Sequence, residues 1–226
     1  MKTLTSSRER ILDTIRAATQ QSTLTVQIDR LSAYQALPST YIRHGASNRE
    51  ACVEQMIERL REFDAEVVEC EFERLLEVIA TQLASSGKSI LVAPDGLPEE
   101  WLATGFDWKI DHGLSMADIE SAQGVVTASF CGIADSGTIV LHHSPLEGRR
   151  ILTLLPDWHL CILRVSQIVA TLPEYFDRCQ RPPALATYIS GPSATADIEM
   201  TRIKGVHGPR FLVVILVRDE VADGIG

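Results

Sequence analysis

The chain is 226 residues long, 45% hydrophobic and 23% charged, enough for one sizeable core or at most two small domains of ordinary soluble character. A formal net charge of -9 makes nucleic acid and anionic membrane poor partners. Met1 to Arg10 lacks an apolar signal core, and the longest apolar run, Phe211 to Val217, is too short to cross a bilayer, so a cytoplasmic protein without membrane insertion is expected.

Arg8 to Thr19 places Ile11, Leu12, Ile15 and Ala18 on one face, which predicts an amphipathic helix. Residues 20–46, with Pro38 and Gly45, read as an extended connection. Ser47-Asn48-Arg49-Glu50 has the form of a capping box, and its helix is expected to run to about Asp64. Glu66 to Cys70 reads as a strand, Phe72 to Ala84 as a helix ended near Gly87, and Ser89 to Ala93 as a strand before a Pro-Asp-Gly turn. A short helix at Pro98 to Leu102, a short strand at Trp108 to Ile110 and a helix from Met116 to Ala122 capped by Ser115 follow. This alternation predicts βαβ units and a largely parallel sheet. Gly124 to Ala134, Thr138 to His143, Arg150 to Leu155 and His159 to Val165 then read as consecutive strands, an antiparallel insertion on the α/β core. Thr171 to Arg178 returns to helix, with Thr171 and Glu174 as a capping pair. Ala184 to Ile189, a helix capped by Ser193 and stopped at Gly205, and Phe211 to Val217 are expected to close the sheet as strand, helix and strand. The expected organisation is a helical arm and connection over 1–46, one α/β domain over 47–220 and a tail over 221–226.

Ser190-Gly191-Pro192-Ser193-Ala194-Thr195 between a strand and a helix would offer free N–H groups and hydroxyls to a carboxylate or phosphate. Ser193 reads as a cap rather than a nucleophile, because no general base can be assigned to it. Asp197 would favour the helix dipole but oppose an anion, and Glu199 can pair with Arg202. His207, between Gly205 and Gly208-Pro209, is either a proton carrier or a hydrogen-bonded structural residue. Asp135-Ser136-Gly137-Thr138 is either a hairpin turn or the mouth of a cleft, with Asp135 as an acid/base group and Thr138 as a donor. Arg149 and Arg150 are candidate anion forks or solvent-facing charges. His142 and His143 fall on opposite faces of a strand, and no histidine spacing fits zinc, so no metal site is expected. Five cysteines, at 52, 70, 131, 161 and 179, form no Cys-x-x-Cys pair; reduced thiols are expected, and no iron–sulfur cluster held by this chain alone. No dinucleotide fingerprint or P-loop is present.

Three blocks carry a family resemblance: Gly132 to Leu141, Arg150 to Leu163 with Leu154-Leu155-Pro156 at its middle, and Ile189 to Pro209. Their order and spacing over roughly residues 115–220 resemble the lactate-utilisation protein C family and its LUD domain. The resemblance implies a fold similar to ribose-5-phosphate isomerase, glucosamine-6-phosphate deaminase and CoA transferases. It also implies a part in oxidising L-lactate to pyruvate beside iron–sulfur partner proteins that hold the clusters. It favours Arg150, which lies in a block, over Arg149, and raises Asp135 as a group at the cleft. The expectation is a cooperating or accessory subunit whose cleft binds a small anion or docks a partner. A stand-alone isomerase or transferase acting on a sugar phosphate or CoA ester, and a scaffold with a vestigial cleft, are the alternatives. Asp135, Thr138, Ser193 and His207 are expected to line one depression beyond the carboxyl ends of the parallel strands.

Overall fold

A computed structural model describes residues 7–20, 32, 36–37, 42, 44–45, 48–179, 181, 183–195, 203–204 and 208–219. The chain divides into two compact units, Met1–Tyr41 and Ile42–Gly226. The first contains helix α1, Ser7–Gln20, where the apolar periodicity placed one.

In the second unit, α2 (Arg49–Glu62) starts at Asn48, whose side chain accepts from the N–H of Ala51 at 2.9 Å. Asn48 therefore takes the cap, while Ser47 lies outside the described residues. Cys52, Val53, Met56, Ile57 and Leu60 recur at helical spacing and are all buried. β1 (Glu66–Glu71), α3 (Leu75–Ser85), β2 (Ile90–Pro94), β3 (Asp107–Asp111) and α4 (Met116–Glu120) follow. Ser115 caps α4 by accepting from Asp118 N–H. Then come β4 (Gly124–Thr127), β5 (Cys131–Ile133), β6 (Thr138–Leu141), β7 (Trp158–Arg164), β8 (Ile168–Val169), α5 (Leu172–Arg178), β9 (Thr187–Ile189), β10 (Ala194–Thr195), β11 (Ile203–Lys204) and β12 (Phe211–Arg218).

Six strands form one sheet in the order β1-β12-β7-β4-β2-β3, and every pairing in it is parallel. β12 and β7 are apolar on both faces because helices or a second sheet cover each face, as parallel sheets require. On one face Leu160, Ile162, Val213 and Ile215 pack with Leu75, Ile79 and Leu83 of α3. On the other, Cys161, Leu163, Val214 and Leu216 meet α2 and the second sheet. That second sheet has the order β8-β5-β6-β9, with β5, β6 and β9 antiparallel. β1 lies at one end of the large sheet and exposes Glu66, Glu69 and Glu71. Arg218 joins β12 to β1 and α2 by bonding Glu69 at 2.9 Å and Glu50 at 3.0 Å.

The α/β class, the mainly parallel sheet and the antiparallel insertion match the sequence reading, but four assignments change. Gly124 to Ala134 breaks at 128–130 into two strands of different sheets. Arg150–Thr153 is a 3₁₀ turn, not a strand. The strand beginning at Trp158 belongs to the middle of the parallel sheet, not to the insertion. The helix expected after Ser193 is absent there: Ala194 and Thr195 pair antiparallel with Lys204 and Ile203. Residues 196–202 lie outside the described part. β9 accordingly joins the second sheet, and β12 enters the first without a helix immediately before it.

Candidate functional site

A cavity of about 280 Å³ opens on the face of the large sheet that carries α2 and the second sheet. Its floor is His159 and Leu212, each the second residue of its strand. One wall is the 3₁₀ turn with Arg150 and Thr153, and the other is the segment from Thr187 to Ala194. The cavity thus lies over the amino-terminal ends of β7 and β12, not beyond the carboxyl ends as expected. The connections decide this, because the turn before β7 and the loop after β9 both cross the sheet there.

At the carboxyl ends of β2 and β3 a second cleft contains Asp95, Asp111 and Arg149. Arg149 grips Asp111 with Nε at 2.8 Å and Nη2 at 2.6 Å, and Asp111 also accepts from Gly113 and Leu114 N–H. These bonds hold the Asp111 carboxyl below its usual range, the Arg149 bonds contributing most. Arg149 is thereby committed to structure.

Arg150 differs. Its Nη1 donates to the carbonyl and hydroxyl of buried Thr153, at 2.9 and 3.0 Å. No acidic partner reaches it among the described residues, and Nε and Nη2 are without a partner there. Burial alone depresses its pKa. An arginine kept partly out of water without a counter-charge favours an incoming anion.

His159 is 1% exposed. Its Nε2 lies 2.8 Å from Thr127 Oγ1, and Nδ1 has no partner among the described residues. Burial, with a smaller push from Arg150, lowers its pKa to about 3, so the ring is neutral near pH 7. Thr187 faces the same space and bonds His143 Nε2 at 2.9 Å, while His143 Nδ1 lies 2.9 Å from the carbonyl of Gly148. His142 diverges, stacked on Phe130 at 3.6 Å and bonded to Tyr175 Oη at 2.9 Å, as strand alternation predicts.

Ser190, Gly191 and Ser193 line the cavity with Arg150, as the sequence suggested, but in a turn rather than at a helix start. The backbone N–H of Ser193 donates to the carbonyl of Pro209 at 2.8 Å, which ties the turn to the approach of β12. Gly191 has φ +82, and a Cβ there would lie 2.5 Å from the Cβ of Phe63, so this wall sits directly on the end of α2. Thr138 lies one bond behind the wall: its hydroxyl meets Ser190 at 2.7 Å and Ser136 at 2.8 Å. Asp135 does not join them. It is exposed on the turn whose Gly137 packs against Arg59, and it does not line the cavity. His207, Asp197, Glu199 and the side chain of Thr195 lie outside the described residues. His159, Thr153 and Thr187 escaped the sequence reading; a histidine inside an otherwise apolar strand was the available signal for the first.

Among the described residues no three His, Cys, Asp or Glu side chains gather as a metal site, and no helix is long and apolar enough to cross a membrane. The family model for the LUD domain matches residues 53–217. The chain belongs to the LUD domain family. This LUD domain is 37% identical over 174 residues to a Lactate utilization protein C of Deinococcus radiodurans, covering 75% of the chain and 81% of that protein. It is 31% identical over 177 residues to a Lactate utilization protein C of Bacillus subtilis, covering 69% of the chain and 73% of the relative. A crystal structure of a DUF162 family protein from Deinococcus radiodurans superposes with a TM-score of 0.63 at 32% identity, covering 76% of this chain and 99% of the other.

Proposed function

We propose that this protein is an anion-binding subunit of a cytoplasmic L-lactate utilisation system. It would support oxidation of L-lactate to pyruvate together with iron–sulfur proteins that hold the redox groups. The observation that carries the anion-binding part is Arg150, partly buried on a cavity wall with no acidic partner among the described residues. The names of the relatives support the lactate-utilisation part of this reading. Dispersed, buried cysteines support placing the clusters on partners, since a cluster needs about four converging thiolates.

The chain's own residues can bind and orient a small acid here. Arg150 offers two unused donor positions, Ser190 and Ser193 line the opposite wall, and the neutral His159 forms part of the floor. The test is deletion of the gene and complementation, scored as growth on L-lactate as sole carbon source, together with affinity purification of the tagged full chain from native cells. Loss of lactate growth, restoration by the intact gene and co-purification of iron–sulfur proteins are expected. Unimpaired growth on lactate without the gene would overturn the reading.

A further inference from the structure

The carboxyl ends of the parallel strands hold a further space, distinct from the Arg150 cavity. The chain leaves β2 toward β3 and leaves β4 toward β7, in opposite directions along the sheet. Leu97 and Trp101 of the first connection pack on the α3 face, whereas the second sheet, part of the other connection, covers the opposite face. Adjacent parallel strands whose connections part in this way leave a crevice at their carboxyl ends, the usual seat of a ligand in an open α/β sheet. Here residues 144–148 enter that crevice. The Pro145 and Leu146 carbonyls accept from Gly96 N–H at 3.1 Å, just after β2, and from Ala128 N–H at 3.0 Å, just after β4. Two backbone donors that a phosphate would draw on are thereby spent.

What remains is a pocket of about 300 Å³ at the carboxyl ends of β4 and β7, with no lining residue in common with the Arg150 cavity. Trp101, Ala128 and Ile162 line it and are buried, while Leu146 is 43% exposed. The hydroxyls and the amide on its lining are engaged within the protein. Ser129 Oγ donates to the Ile162 carbonyl at 2.9 Å, and Ser166 Oγ donates to Asp219. Gln167 Nε2 donates to the Ser129 carbonyl at 2.8 Å, and its Oε1 accepts from Arg164 N–H at 2.9 Å. Among the described lining residues the one charge is that of Arg164, an exposed side chain at the last position of β7. Its guanidinium has no acidic partner among the described residues and lies 5.6 Å from the centroid of Phe72, itself 51% exposed.

An apolar space with engaged hydrogen-bonding groups and one unpaired cation beside it suits a molecule with an apolar body and a single acid group. We propose that this pocket binds an amphiphilic monocarboxylate, its chain or ring among Trp101, Ile162 and Leu146 and its acid group at Arg164. An apolar cavity of about 150 Å³ holds benzene, so this pocket has room for a chain of about eight carbons, or for one ring and a short linker. L-lactate has too little apolar body for it, and a sugar phosphate needs donors that the pocket no longer offers.

The test is equilibrium dialysis of the full chain against radiolabelled octanoate, because burying an apolar chain near 25 °C releases little heat and would escape calorimetry. Octanoate and 3-phenylpropionate should compete for one site. Octan-1-ol, which lacks the charge, should compete about three- to tenfold less well, and acetate, which lacks the chain, more than about a hundredfold less well. Arg164→Gln should weaken octanoate about three- to tenfold and leave octan-1-ol unchanged. Leu146→Trp, at a half-exposed position, should fill the pocket and weaken both by more than about tenfold. Far-UV circular dichroism and melting of each variant separate lost binding from lost fold, and the Arg164→Gln result stands if Leu146→Trp does not fold. Arg150→Met should leave octanoate binding unchanged, which keeps this pocket apart from the Arg150 cavity; growth on lactate is scored separately and stands or falls without it. No saturable octanoate binding, acetate binding as tightly as octanoate, octanoate binding untouched by Arg164→Gln, or its loss in Arg150→Met overturns the proposal.

Discussion

His159 places a titratable ring at the second position of a strand that is otherwise apolar until its last residue. In the folded protein its pKa falls to about 3 from an ordinary 6.5, because charging the ring would bury an ion. Above pH 6.5 the ring is neutral in both states and nothing is lost. Between 6.5 and about 3 only the unfolded chain takes up the proton, so stability falls by about 1.4 kcal/mol for each pH unit. Below about 3 the native ring protonates as well and the loss levels off. From about pH 7 to pH 5, wild type should lose about 2 kcal/mol more stability than His159→Gln. Urea denaturation of both proteins at the two pH values measures it, and parallel declines would show that the ring is not the acid-sensitive group.

At the scale of elements, the wall from Thr187 to Ala194 depends on its seat against α2. Gly191 allows this seat because it has no Cβ to meet Phe63 and because φ +82 suits glycine. Gly191→Ala should cost about 1–3 kcal/mol in chemical denaturation, from backbone strain and displacement of a packed helix end. A change within about 0.5 kcal/mol would mean that the turn yields freely. Elements with strong local signals were legible in the sequence. The buried stripe of α2, the Ser115 and Thr171 caps and the unbroken apolar run of β12 all state their structure locally. Elements decided by distant partners were not. Ala194-Thr195 has no local signal against helix, and its strand form depends on Ile203-Lys204 across a loop. Arg150 to Leu155 has a strand-like apolar run, yet Leu152 and Ile151 pack into a small core beside α4 as a 3₁₀ turn. The cavity was half legible for the same reason. Ser190, Gly191, Ser193 and Arg150 announced themselves by residue type, whereas His159, Thr153 and Thr187 join them only through sheet register.

At the scale of the whole molecule, six parallel strands leave an outer strand at each end of the sheet. β1 is one of these, and Glu66, Glu69 and Glu71 stand along it in a chain of net charge -9. Were a second molecule to extend the sheet by laying its own β1 antiparallel along this free edge, a centred pairing would put Glu66 of each copy beside Glu71 of the other, on strands about 4.8 Å apart. Like charges at that spacing repel, so at neutral pH the open hydrogen-bonding edge is a poor template for self-assembly. Replacing these glutamates by neutral side chains removes this barrier while the backbone groups remain. Light scattering near neutrality should therefore be flat for the wild type and rise in Glu66→Gln/Glu71→Gln; equally flat traces would show that the charges do not guard this edge. The surface that keeps copies of this protein apart is then also the one through which loss of its charge would draw them into aggregates.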